Sequence, residues 1–237
     1  MDVFLLPVTP APPGSEPGFE LYCEPPQEMS PEPGSTEPRR SLAGRLAHSF
    51  RQALAEGEAE ERRQEDGHPP AESVSRFGSF VKRKLAAAVA EQRLLWHLRH
   101  ASSARLHHPV TLTSARALAL ATAEFKRDFD KHRLWCGIDA AITVASAPVA
   151  LIPGPNFLAY YFIFRSVGHF FSFRGAQKGM DASLWTAVPS TALADLQQAL
   201  SLDGPDRDDK IADVASALGL ERLPVFMRRV VARPRKH

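Results

Sequence analysis

The chain is poor in the residues that announce chemistry. Of its 237 residues only two are cysteine, three tyrosine and three tryptophan. Cys23 and Cys136 lie far apart with no metal-ligand spacing, which argues against a disulfide framework or a thiolate zinc site and makes a reduced compartment the expectation. No glycine-rich phosphate loop follows a strand, no GxSxG, HExxH, CxxC or kinase signature occurs, and no spacing of serine, histidine and aspartate picks out a triad. The reading is therefore a non-enzymatic protein with no cofactor and no metal. A charge excess is lacking too: the formal net charge is +2, which says little about partners. Mean hydropathy is slightly negative at −0.22, so at most one hairpin of this chain is expected to span a bilayer. The opening Met1-Asp2-Val3-Phe4-Leu5-Leu6-Pro7 has no positive region and too short an apolar run for a secretory signal, nor is it arginine-rich like a transit peptide. No internal repeat is visible.

Against this background one stretch stands out, residues 134–173. It reads LWCGIDAAITVASAPVALI, then PGPN, then FLAYYFIFRSVGHFFSF. The arms have about 19 and 17 residues, or about 28 and 25 Å as helices, close to the hydrocarbon thickness of a bilayer. Pro153, Gly154, Pro155 and Asn156 form the turn: the prolines cannot donate backbone hydrogen bonds, Gly154 tolerates the reversal, and Asn156 is a good N-cap. Pro148 should kink the first arm. Only Asp139, Arg165 and His169 are ionisable inside the arms. Counted from the turn at about 1.5 Å per residue, Asp139 and His169 come out level to within about 2 Å, with Arg165 one helical turn from His169. An isolated charge in hydrocarbon or a dry core is expensive, so Asp139 is expected to pair with His169 or Arg165. The trio reads either as a structural staple or as a proton- or ion-linked site.

Small residues recur at helical spacing, Gly137, Ala141 and Ala145 on the first arm and Gly168, Ser172 and Ala176 on the second. This pattern suits close helix approach in a membrane and equally suits ordinary tight packing. Lys131 and Arg133 precede the hairpin and Arg174 and Lys178 follow it, while the turn carries no charge, a distribution that keeps both ends on the cytoplasmic or matrix side. Membrane association is the favoured reading, with the lipid bilayer as partner, and self-association or another membrane transporter as further partners. The alternative is a soluble or peripheral α-helical scaffold or interaction protein whose apolar hairpin is a buried core.

Along the rest of the chain, Val3–Val8 and Phe19–Cys23 are short strand-favouring runs joined by a Pro/Gly loop, a small β-hairpin over 1–23 that needs a helix to pack on. Residues 24–40 read as a Pro-rich disordered linker. From Ser41, an amphipathic helix within 41–66 carries Leu42, Leu46, Phe50 and Leu54 on one face. Residues 71–133 read as basic and amphipathic helices. The first, to about His100, suits an anionic membrane surface or a solvated bundle face; without aromatic interleaving, nucleic acid is not expected. His97, His100, His107 and His108 lack a carboxylate or cysteine at ligand spacing and read as partly exposed histidines near a helix end. Thr113 or Ser114 should cap a helix bearing Leu118, Leu120, Phe125 and Phe129, running on into the hairpin. Residues 174–237 read as a helical region with a basic tail: a helix opening at Pro189-Ser190, another beginning near Asp206 or Asp208 and ending at Gly219. The fold class is mainly α, a helical bundle around the apolar antiparallel hairpin with the small N-terminal β-hairpin.

The run Leu151-Ile152-Pro153-Gly154-Pro155-Asn156, followed by Tyr160-Tyr161, Phe164-Arg165 and Gly168-His169, resembles the mitochondrial K⁺–H⁺ exchange-related family. Its core is a proline-containing turn of LPxPN type followed by an aromatic helix with a YxxFR segment and a histidine, matched here by Tyr161–Arg165 and His169. Bacterial sequences of this type look similar also at Met1–Val8, Arg93–His100 and His132–Trp135. The resemblance implies an inner-membrane protein, bacterial or mitochondrial, tied to potassium–proton exchange and volume control. Two spans do not enclose a conduction path, so a regulator or subunit is expected.

Overall fold

The computed structural model describes residues 1–10, 17–24, 94–145 and 157–231. The linker at 24–40 beyond Glu24, the helix within 41–66, the first 23 residues of the basic stretch at 71–133, Pro148, and the turn Pro153, Gly154, Pro155 and Asn156 lie outside them. Helix dominates, and the N-terminal strand pair is present: β1 (Asp2–Pro7) runs antiparallel to β2 (Phe19–Tyr22), with Leu5 opposite Leu21. Two further strands, β3 (Ala104–Pro109) and β4 (Trp185–Ser190), complete a four-stranded mixed sheet of order β2-β1-β3-β4. Both join in parallel, Val3 beside Leu106 and Leu106 beside Ala187. Parallel strands need a long crossover, and between β3 and β4 it consists of two long helices, α1 (Ser114–Ala145) and α2 (Phe157–Gly179). After β4 come α3 (Thr191–Ala199), α4 (Gly204–Leu218) and α5 (Leu223–Val231).

The sheet corrects the expected bundle. A purely helical reading of 71–133 and 174–237 is replaced at β3 and β4, and His107 and His108 belong to a strand, His108 fully buried, rather than to a helix end. Parallel pairing with β1 made ARLHHP a strand; nothing in six residues with two apolar side chains announces it. Arg228 and Arg229 lie in the last turn of α5.

The chain divides into two compact units, one of residues 1–27, 98–130 and 175–237, the other of 28–97 and 131–174. In the first, β1 is buried on both faces. Phe4, Leu6 and Val8 join Tyr22 and the apolar faces of α3, α4 and α5, including Leu193, Leu196, Ile211, Val214, Leu223 and Met227, in one core. By strand alternation Val3 and Leu5 point to the opposite face, together with Leu106 and Trp185. That face meets the first half of α1: Phe125, fully buried, stacks on Trp185 at 5.5 Å between ring centroids. Ala117 and Ala121, on the same stripe, are buried in place of the expected Leu118 and Leu120, because small side chains let the helix lie close to a sheet.

Local signals explain the element ends. The Thr113 hydroxyl accepts from the Arg116 N–H at 3.3 Å and caps α1. Ser190 caps α3 through the Leu193 N–H. Helix α4 begins earlier than expected, after Asp203, with Pro205 in its first turn, and ends at Gly219 with φ 66°.

Candidate functional site

The second unit contains the C-terminal part of α1 and most of α2. On α1, His132, Cys136, Asp139 and Thr143 recur at intervals of four, three and four, which places them on one helix face. The partners of the first three descend along α2, so the two helices run antiparallel. His132 Nδ1 is 2.8 Å from His169 Nδ1. The Cys136 thiol donates to the Ser166 carbonyl at 3.6 Å. The Arg165 Nε is 3.0 Å from Asp139 Oδ2, and the His169 Nε2 is 3.6 Å from that same oxygen. Asp139, Arg165 and His169 are thus brought together, with Arg165 nearer than His169. The pairing centres near residue 151 rather than on the Pro-Gly bend, which is why the depth count from the bend put His169 level with Asp139.

Asp139 is 1% exposed, and neither of its oxygens has a hydrogen bond of good geometry among the described residues. A carboxylate in this position has lost its water without full replacement. Burial accordingly pushes its pKa up, and the Arg165 guanidinium pulls it part of the way back. The Arg165 guanidinium also lies 5.0 Å from the centre of the Trp135 ring, a cation–π contact that orients it. The two imidazoles answer burial in the opposite sense. His132 is pushed down to about 4 by burial, then by His169 and Lys131. His169 is pushed down to about 4 by burial, then by Arg165 and Lys131. Both are neutral at pH 7, and one N–H sits between them.

His132 escaped sequence reasoning, although its position two helical turns before Asp139 puts it on the same face. The small-residue stripes divide: Gly168, Ser172 and Ala176 are buried, whereas Gly137, Ala141 and Ala145 are exposed on α1. Ser172 accepts from the Trp96 indole at 2.8 Å and donates to the Gly168 carbonyl at 2.9 Å. Leu134, Trp135, Ile138, Ile142 and Val144 are exposed, so the described part of the first arm is not a buried core.

Among the described residues no helix is long and apolar enough to cross a membrane. The expected pair of spanning arms is not met by the described helices for a compositional reason. In α2, Arg165, Ser166, His169 and Ser172 interrupt the aromatic residues, and in α1 the charged stretch before Leu134 precedes a mild Ala/Thr/Ser segment. Among the described residues there is also no group of three or more His, Cys, Asp and Glu able to hold a metal ion.

The paired helices thus gather a buried, incompletely solvated carboxylate, an arginine and two neutral imidazoles at one internal place. Residues 59–180 match the sequence model of the family described as mitochondrial K⁺–H⁺ exchange-related, and the chain belongs to that family. The matched range includes β3, α1, α2 and all four of those side chains. No curated protein and no solved structure matches the chain.

Proposed function

We propose that this chain is a non-enzymatic, membrane-associated component of potassium–proton exchange, acting as a regulator or subunit, and that Asp139 is its proton-linked group, with Arg165 and His169 setting its affinity. Exchange of potassium for protons has meaning only between two compartments, so a protein that serves it works at the membrane dividing them; the family relation points to mitochondria. The observation that carries the reading is the state of Asp139: buried, with no hydrogen bond of good geometry to either oxygen among the described residues, and balanced between the guanidinium that favours its anion and the burial that favours its acid form. A group so balanced changes charge in response to a modest change in its surroundings.

The test is potassium-dependent recovery of pH after an acid load, in organelles or cells carrying the native chain, Asp139→Asn or a deletion. Slower recovery in both altered strains is expected. Normal recovery in the deletion overturns the exchange role. Slow recovery in the deletion with normal recovery in Asp139→Asn keeps the role and removes Asp139 from it.

A further inference from the structure

Lys131, Leu134, Trp135, Ile138 and Ile142 recur at intervals of three and four residues and so form one stripe along α1. The stripe is exposed: Leu134 is 63% accessible, and Trp135, Ile138 and Ile142 each exceed a third. It flanks the face of His132 and Asp139, which are buried. Consecutive large apolar side chains on the open face of a helix mark a contact surface rather than scattered surface residues.

Charge identifies what covers it. Among the described residues of this unit the sole acid is Asp139, which is buried, while Lys131, in the stripe itself, is an exposed cation. Lys131 stands at the N-terminal end of the stripe, and the partly exposed Arg165 guanidinium lies over the ring of Trp135 at its side. An anionic lipid surface answers Lys131 and Arg165, and a tryptophan beside lysine and arginine, next to leucine and isoleucine, suits the boundary between headgroups and acyl chains. We infer that α1 docks in the plane of an anionic bilayer surface, with Leu134, Trp135, Ile138 and Ile142 inserted below the headgroups and Lys131 against the lipid phosphates. This rests on the membrane-associated reading above and names the residues that make the contact.

Flotation of the full chain with phosphatidylcholine vesicles, with and without about 30% phosphatidylglycerol, tests it. The native chain is expected to float with the anionic vesicles. Ile138→Glu with Ile142→Glu should weaken partition by on the order of tenfold or more, and Lys131→Glu by several-fold, since each cation near such a surface is worth about fivefold. Brominated acyl chains should quench the native fluorescence, and Trp135→Phe should remove that quenching; this readout holds even where a glutamate variant misfolds. Equal flotation of the native chain and the isoleucine variants, with quenching unchanged in Trp135→Phe, overturns the docking face while leaving membrane association standing. Equal binding to neutral vesicles overturns the anionic partner. Failure of the native chain to float on either vesicle overturns both readings. A concentration-dependent dimer abolished by the same variants, with flotation unaffected, assigns the stripe to a second copy instead.

Discussion

The Nδ1 atoms of His132 and His169 lie 2.8 Å apart, and two imidazoles at that distance share one proton. A second proton would set two N–H groups against each other in a partly buried site. Both groups are held down to about 4, against about 6.5 in an unfolded chain. Between those values the unfolded chain binds more protons than the folded one, so folding stability from this pair is complete above about pH 6.5 and is lost as the pH falls toward 4. Histidine resonances followed by NMR should show neither ring titrating near 6.5. The melting temperature should drop on acidification through this window, and the drop should be smaller in His132→Asn with His169→Asn.

Asp139 carries the opposite sign. Its folded pKa is raised, so the folded state holds the proton more firmly, and stability from this group declines as the pH rises above the ordinary carboxylate value. Arg165 is what restrains the shift. Replacing Arg165 with alanine should therefore raise the Asp139 pKa further and destabilise the fold near neutral pH by about 1–3 kcal/mol, less than for a fully buried pair because the Arg165 side chain is 35% exposed. Asp139→Asn should be milder, since it removes the buried charge and leaves an arginine that reaches water. Urea denaturation at pH 5 and pH 7.5 checks both: the Arg165→Ala deficit should be larger at pH 7.5, where Asp139 is more fully ionised. An equal deficit at the two pH values would mean that Arg165 acts through packing alone.

The contrast between these residues and the sheet shows what a sequence displays and what it hides. Asp139, Arg165 and His169 were legible because each is an ionisable group in an apolar run, and helical spacing then limits which of them can meet. β1 and β2 were legible because they are neighbours in sequence and built of strand-favouring residues. β3 and β4 were not, because their partners are distant: Ala104–Pro109 is held by pairing with residues 2–4 and 185–190, and neither pairing leaves a mark within six residues. The apolar residues of the stripe on α1 lie within the first apolar arm. Only the geometry separates Ile138, which is exposed, from Asp139, which is buried, one residue on.

Two glycines make opposite predictions. A Cβ at Gly179 would come within 2.7 Å of the Phe125 ring, which stacks on Trp185, while the Trp185 indole donates to the Gly179 carbonyl at 2.8 Å. The ring has no room to yield, so Gly179→Ala should destabilise the first unit by about 1–3 kcal/mol. At Gly137, inside α1, an added Cβ meets nothing within 4 Å. Gly137→Ala should therefore stabilise the protein by about 0.5–1 kcal/mol through the reduced freedom of the unfolded chain. Chemical denaturation of the two variants should move the midpoint in opposite directions.

Glu24 holds the start of α5 by its two oxygens. Its Oε1 accepts from the Arg222 N–H at 2.8 Å and from the Tyr22 hydroxyl at 2.6 Å, and its Oε2 accepts from the Glu221 N–H at 3.1 Å. A carboxylate here satisfies otherwise orphaned donors and complements the positive end of the helix. The same charge, after burial, raises the Tyr22 pKa above its usual range. Glutamine has the same shape but one acceptor oxygen, so in Glu24→Gln an amide N–H must face a backbone or phenolic donor. Glu24→Gln should therefore cost nearly as much as Glu24→Ala, about 1–2 kcal/mol, and Tyr22→Phe about 0.5–1.5 kcal/mol. Combining Tyr22→Phe with Glu24→Gln should lose less than the sum, because the phenol and the carboxylate are stabilised by one shared bond. Strict additivity in urea denaturation would mean that the Tyr22–Glu24 contact contributes nothing to stability.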